Sequence, residues 1–265
     1  MLRSYHPWLF LLLLSTTSPA AELFLIAHRG GVVDADHIEN SRPALEAAIR
    51  RGYSMLEVDI RESRDGHLVV HHDQDFQRFY GDPRRVSEMT WDEMKQLRSR
   101  VSALRPLSFA EYAAACQGRI RLMLDTKGRQ GPRFSQQLES ILKDCDLLNS
   151  AYVLGADRSK QALHRKAKVS INRVNLRKAI KNGEPVDQLY FLFELGAKLD
   201  KEIIDLARQH QVVVVAAINT FRYPPEQHRR LAAEDIRRLK KLGVTHFQID
   251  SVYEADCRKT ESDSK

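Results

Sequence analysis

From residue 22 onward, short apolar runs alternate with stretches whose apolar positions recur every three or four residues. Runs of strand length fall at residues 23–27, 54–60, 120–125, 152–154, 168–174, 189–193, 212–217 and 245–250. The run over 212–217 is apolar throughout and rich in valine, as in a strand buried on both faces. Helical periodicity fills intervals between them: from a cap at Asn40 through Arg51, then 134–143, 159–167, 203–210 and 226–242. Eight such alternations predict an α/β fold, an (α/β)₈ TIM barrel with parallel strands; a doubly wound open sheet satisfies the same alternation. A turn at Gly66 and a short extension over 68–71 follow the second strand. Residues 73–105 then interrupt the alternation with a small insertion, helix-like over 91–97. Insertions of that length after barrel strands usually shape the active site.

The ends of the chain differ from this pattern. Arg3, an apolar run over 8–14 and small residues around Ser18 and Ala20 read as a secretory signal peptide over 1–20. The run is too short to span a bilayer, although an uncleaved anchor shares its composition. Residues 21–258 form the expected barrel domain, and 259–265 a polar tail. The expected location is therefore exported, periplasmic or secreted.

Composition narrows the partners only slightly. The 265 residues are 43% hydrophobic and 29% charged, an ordinary globular balance. Net charge is +7, one less without Arg3, and its cations are scattered among acids. That favours a small anionic substrate and transient contact with a membrane surface, not nucleic acid or an obligate protein partner. Cys116, Cys145 and Cys257 lack zinc or redox spacing. Cys116 and Cys145 end the helices before strands three and four, which brings both to the bottom face and allows a disulfide between them in an exported protein.

The chemistry-bearing residues follow the first three strands. His28, Arg29 and Gly30 come directly after the first, at the mouth where barrel enzymes build their sites, and Gly30 and Gly31 allow backbone to approach a ligand. Side chains alternate along a strand, so Glu57 and Asp59 share one face. Paired carboxylates there need a cation, and oxygen ligands suit Ca²⁺ or Mg²⁺; a solvated strand end is the alternative reading of the motif alone. Asp125 and Lys127 repeat this geometry on the third strand, where Asp125 completes a three-carboxylate site and Lys127 meets a bound anion. An Asp–Lys ion pair is the simpler alternative. Of His71 and His72, one points inward and one outward. Two histidines about a metal-bound phosphate suit general acid and base roles.

These residues resemble the glycerophosphodiester phosphodiesterases. The resemblance runs through His28-Arg29-Gly30, Glu39-Asn40, Glu57-x-Asp59, Asp65-Gly66, His72-Asp73, Arg78 and the stretch over 90–97. It implies an (α/β)₈ barrel with an inserted segment after strand two. It also implies metal-dependent hydrolysis of glycerophosphodiesters to sn-glycerol 3-phosphate and an alcohol. On this resemblance His28 and His72 are the acid–base pair, and His72 is selected by Asp73. Glu57, Asp59 and Asp125 hold one divalent cation, Ca²⁺ or Mg²⁺, while Arg29 and Lys127 bind the phosphate. Asp125 stands where the family usually has Glu. Ala216-Ala217-Ile218-Asn219 stands where it often has Trp-Thr-Val-Asn, which implies a missing aromatic wall. Asp250 matches part of a Thr-Asp-x-Pro motif, and the final helix is short. Two other readings keep the barrel: a lipid-directed phosphodiesterase resembling lysophospholipase D or the sphingomyelin-cleaving enzymes, and a non-catalytic barrel that binds a phosphorylated ligand.

Overall fold

Eight strands run parallel around one axis in the computed structural model, which describes residues 22–259. They are β1 (Phe24–Ala27), β2 (Met55–Glu62), β3 (Arg121–Thr126), β4 (Tyr152–Val153), β5 (Lys168–Ile171), β6 (Tyr190–Leu195), β7 (Val213–Ile218) and β8 (His246–Ile249). Each pairs with its neighbours in sequence, and β1 pairs with both β8 and β2, which closes the sheet. The sheet is therefore the closed barrel, not the open doubly wound alternative. Residues 1–20, expected from sequence to be a signal peptide, and, apart from Lys259, the polar tail lie outside the described residues. No described helix is long and apolar enough to cross a membrane.

Strand alternation sorts the side chains into two layers. Leu56, Val58 and Ile60 of β2, with Leu122 and Leu124 of β3, face outward and pack beneath the surrounding helices. Ile26, Met55, Met123, Tyr152, Phe191 and Val215 form a separate apolar plug inside the barrel. Burying each such side chain contributes about 1.5–3 kcal/mol, so the plug is a firm floor for the polar residues further along the same strands.

The principal surrounding helices are α1 (Arg42–Arg50), α2 (Phe109–Cys116), α3 (Phe134–Asp144), α4 (Asp157–Leu163), α5 (Arg173–Lys181), α6 (Lys201–Gln209), α7 (His228–Lys241) and α8 (Glu254–Arg258). Several boundaries differ from the sequence reading, and a side-chain cap accounts for two of them. Ser41, not Asn40, caps α1, its hydroxyl accepting from the Ala44 N–H at 3.3 Å. Residues 168–174 are not one strand: β5 stops at Ile171, and Asn172 caps α5 by accepting from the Asn175 N–H at 2.9 Å. The side-chain cap gives the chain a helical alternative that the β-branched residues around it concealed. The final helix, α8, spans five residues.

Cys116 and Cys145 are free buried thiols in the apolar layer between barrel and helices, so the disulfide that the sequence allowed is not formed. They act as small hydrophobes there, and burial pushes the Cys116 thiol up to about 12.

After β2 the chain forms an arm. Leu68–Val70 pairs antiparallel with the far end of β2 and with Leu107–Ser108. Between them, a hairpin of Asp75–Phe76 and Asp82–Arg85 and the short helices Gln77–Tyr80 and Trp91–Met94 enclose their own core of Val69, Phe76, Val86, Met89 and Met94. The arm is thus a packed element able to hold a side chain in place, with His71 and His72 at its root.

Candidate active site

The register between β2 and β3 creates the centre of the site, because it sets Asp59 directly beside Asp125. Carboxylate oxygens of Glu57, Asp59 and Asp125 lie within 4.8 Å of one another. Glu57 and Asp59 are each only 1% exposed. Burial, then the charges of Asp59 and Asp125, push the Glu57 carboxyl well above its usual range, against the pull of the Arg29 N–H and Lys127. Lys127 Nζ stands 3.1 Å from Asp59 and 2.6 Å from Asp125, so the ion pair that sequence allowed does form. Those acids hold its ammonium above its usual value despite burial. One ammonium does not balance three clustered carboxylates. The surplus negative charge and the all-oxygen donor set fit a hard divalent cation, and Asp125 reaches the cluster although it is shorter than Glu.

His28 sits in the tight turn that follows β1. Its Nε2 lies 3.9 Å from Glu57 Oε2, while its Nδ1 is 2.5 Å from Asp250 Oδ1, just past β8. Asp250 also accepts the Thr220 N–H at 2.6 Å. Burial works against its ionisation, but the His28 contact and the Thr220 N–H outweigh it and hold Asp250 below the usual carboxylate range.

The turn is left-handed at Arg29 (φ 54°), which aims the Arg29 backbone N–H at Glu57 Oε2, 2.7 Å away. Gly30 and Gly31 serve close packing here. A Cβ at Gly31 would lie 2.2 Å from the Ala44 carbonyl oxygen, and one at Gly30 would lie 2.8 Å from Asn40 Cα. The Gly30 carbonyl accepts from Tyr112 at 2.8 Å.

His72 and His71 separate as expected. His71 is buried, stacked on Phe76 at 4.5 Å and hydrogen-bonded through Nε2 to the Asp75 carbonyl at 2.8 Å. His72 is half-buried, with Nδ1 2.8 Å from Asp73 Oδ1. Arg61 donates twice to the His72 carbonyl, at 3.0 and 2.6 Å, and so pins the backbone beneath the ring. Arg78 donates to Asp73 at 2.6 Å.

Several residues outside the sequence-predicted set belong here. Asn40 adopts φ 55° and grips Asp59 from both ends, donating from Nδ2 to Oδ2 at 2.8 Å and accepting the Asp59 N–H at 3.3 Å. Asp250 was visible only as a motif fragment, yet it orients His28. The strand β7 itself carries no aromatic side chain, but Phe221, in the turn after it, places its exposed ring 6.1 Å from His28.

Known proteins resemble this chain in sequence and in fold. The glycerophosphoryl diester phosphodiesterase family model matches residues 28–237. A human lysophospholipase D is 30% identical over 94 residues, 36% of this chain and 28% of that one. A probable glycerophosphodiester phosphodiesterase of Mycobacterium tuberculosis is 36% identical over 78 residues, 29% of this chain and 28% of its own. The matched part therefore spans less than a third of either relative. Among solved structures, a glycerophosphoryl diester phosphodiesterase of Parabacteroides distasonis superposes with a TM-score of 0.71 at 21% identity, over 90% of this chain and 87% of its own. An Oleispira antarctica phosphodiesterase, solved with the product sn-glycerol-3-phosphate, gives 0.70 at 18% identity, over 89% and 98%. At these identities the superpositions establish the barrel fold. The family match covers most of the chain and begins at His28, and on it the chain belongs to the glycerophosphoryl diester phosphodiesterase family.

Proposed function

We propose that this chain hydrolyses glycerophosphodiesters to sn-glycerol 3-phosphate and an alcohol, with one divalent cation, Ca²⁺ or Mg²⁺. The observation that carries the reading is the paired anchoring of His28 and His72. Each imidazole has Nδ1 against a carboxylate, Asp250 or Asp73. A carboxylate at Nδ1 fixes that nitrogen as the N–H donor and leaves Nε2 to take or give a proton. One histidine then accepts the proton of the attacking nucleophile, either water or a substrate hydroxyl whose cyclic product water opens in a second step, and the other donates a proton to the alcohol oxygen as its bond to phosphorus breaks. Arg29 and Lys127 are the cationic contacts for the phosphate oxygens. Glu57, Asp59 and Asp125 are the residues that would hold the cation, which when bound polarises the phosphoryl oxygens and offsets developing charge.

Product identity tests this reading. Incubation with glycerophosphocholine, followed by ³¹P NMR, should yield glycerol 3-phosphate; phosphocholine in its place would mean that the other P–O bond is cut and would reject the assignment. We also read residues 1–20 as an export signal, which a processed N-terminus near residue 21 would support.

Phe221 favours a second substrate class. Its exposed ring beside His28 offers an apolar surface to an acyl-bearing diester such as a lysophospholipid. On that reading the same acid–base pair acts, and only the group outside the phosphate changes.

A further inference from the structure

Glu39 lies in the loop between β1 and α1, and its side chain is 5% exposed. A buried carboxylate needs compensation, and Glu39 receives it from two arginines on different parts of the fold. Its Oε2 accepts from Nη1 of Arg29, in the turn after β1, at 2.8 Å. Its Oε1 accepts from Nη2 of Arg78, on the arm, at 2.5 Å. Arg78 also donates from Nε to Asp73, the residue that anchors His72, and its guanidinium lies 4.4 Å above the Phe79 ring. The result is a continuous chain of charges, Arg29–Glu39–Arg78–Asp73–His72, that joins barrel to arm.

A second observation shows what this does for Arg29. Its Nε is buried and has no hydrogen-bond partner among the described residues. Glu39 occupies Nη1, so the edge carrying Nε and Nη2 is the one turned to other use. That edge matches two oxygens of a phosphate in parallel hydrogen bonds. A buried N–H donor without a partner is costly unless a ligand meets it.

We propose that Glu39 is a positioning residue: it presents the Nε edge of Arg29 to the phosphate and latches the His72-bearing arm to the barrel through Arg78. The inference rests on the phosphodiesterase reading for its substrate and on this geometry for its latch. Asn40 does the companion task on the other side by holding Asp59, so two adjacent buried side chains support the two halves of the site.

Glu39→Gln tests both parts, because a glutamine has one acceptor oxygen and cannot serve two arginines. Inhibition of the wild type and the variant by glycerol 3-phosphate should differ by about 10-fold or more, the size expected for a lost charge-assisted hydrogen bond. Backbone amides over 75–85 should exchange at least about 10-fold faster in the variant while barrel amides keep their rates. Arg78→Gln, a change at a partly exposed position, should reproduce the faster arm exchange should Glu39→Gln fail to fold. Arm exchange at the wild-type rate in whichever variant folds overturns the latch; inhibition at the wild-type constant in Glu39→Gln overturns the positioning of Arg29. Absence of wild-type turnover on glycerophosphocholine would count against the reaction assigned above, while the exchange measurement still decides the latch.

Discussion

His28 and Asp250 are 222 residues apart in sequence and 2.5 Å apart in the fold. They meet because β1 and β8 pair to close the barrel, so the seam of the sheet is also where the imidazole is oriented. A seam that slipped by one residue would turn every side chain on that strand to the other face and break this contact.

Asp250→Asn keeps the shape of the side chain but removes the charge that fixes the His28 tautomer. We expect kcat to fall by about 10²-fold or more while KM changes little, in line with the loss when a comparable aspartate is neutralised. Steady-state kinetics on the purified variant check this. An unchanged kcat would leave His28 without its assigned partner in catalysis.

The carboxylate cluster predicts a trade between stability and activity. Glu57 is buried beside Asp59 and Asp125, with Lys127 the ammonium among them. Without metal, Glu57→Gln should melt at a temperature equal to or above that of the wild type, since it removes repulsion from a buried site. Divalent cation at 100 times its Kd should stabilise the wild type by about 2.7 kcal/mol and the variant by much less. Calorimetric melts with and without Ca²⁺ or Mg²⁺ measure both, and equal shifts in the two proteins would remove Glu57 from the binding site.

A pH effect resides at the opposite end of the barrel. His246 stacks flat on Phe24 at 4.4 Å. Burial, with Arg121 and Lys168 nearby, lowers its pKa to about 4. An unfolded histidine titrates near 6.5, roughly, so the unfolded chain takes up this proton first as pH falls. Stability from this group should be complete above about pH 6.5 and decline toward pH 4. Denaturant titrations of His246→Phe should show a flatter profile across that window; a slope equal to the wild type would mean His246 titrates normally in the fold.

Phe221 separates the two substrate classes. Phe221→Ala should raise KM for a lysophospholipid by about 10-fold or more, the scale of burying a large apolar side chain, and leave glycerophosphocholine within about 2-fold. Equal effects on both substrates would make Phe221 a general wall of the site with no lipid role.

The residues legible in advance were those whose information is local. Glu57, Val58 and Asp59 announce their faces by strand alternation, and the fold keeps them there, with Val58 in the outer layer and both acids in the cluster. Neighbouring strands in sequence are neighbours in a barrel, so Asp125 could be placed beside Asp59. What stayed hidden depends on contacts that no spacing encodes. Asp250 reaches His28 only through closure, and Phe221 approaches it only because the turn after β7 folds over that seam. Glu39 looked like a motif letter until the arm brought Arg78 to it. The cysteines show the reverse: membership of one apolar layer does not by itself make a bond, and Cys116 and Cys145 are both free thiols.

The central claim, metal-dependent hydrolysis by a histidine pair, is tested most directly by glycerol 3-phosphate release from glycerophosphocholine in wild type and His28→Ala, each with and without EDTA. The account predicts steady release by the wild type, its loss in EDTA, its return on adding excess Ca²⁺ or Mg²⁺, and a fall of about 10³-fold or more in His28→Ala. Release that persists both in EDTA and in His28→Ala would contradict it.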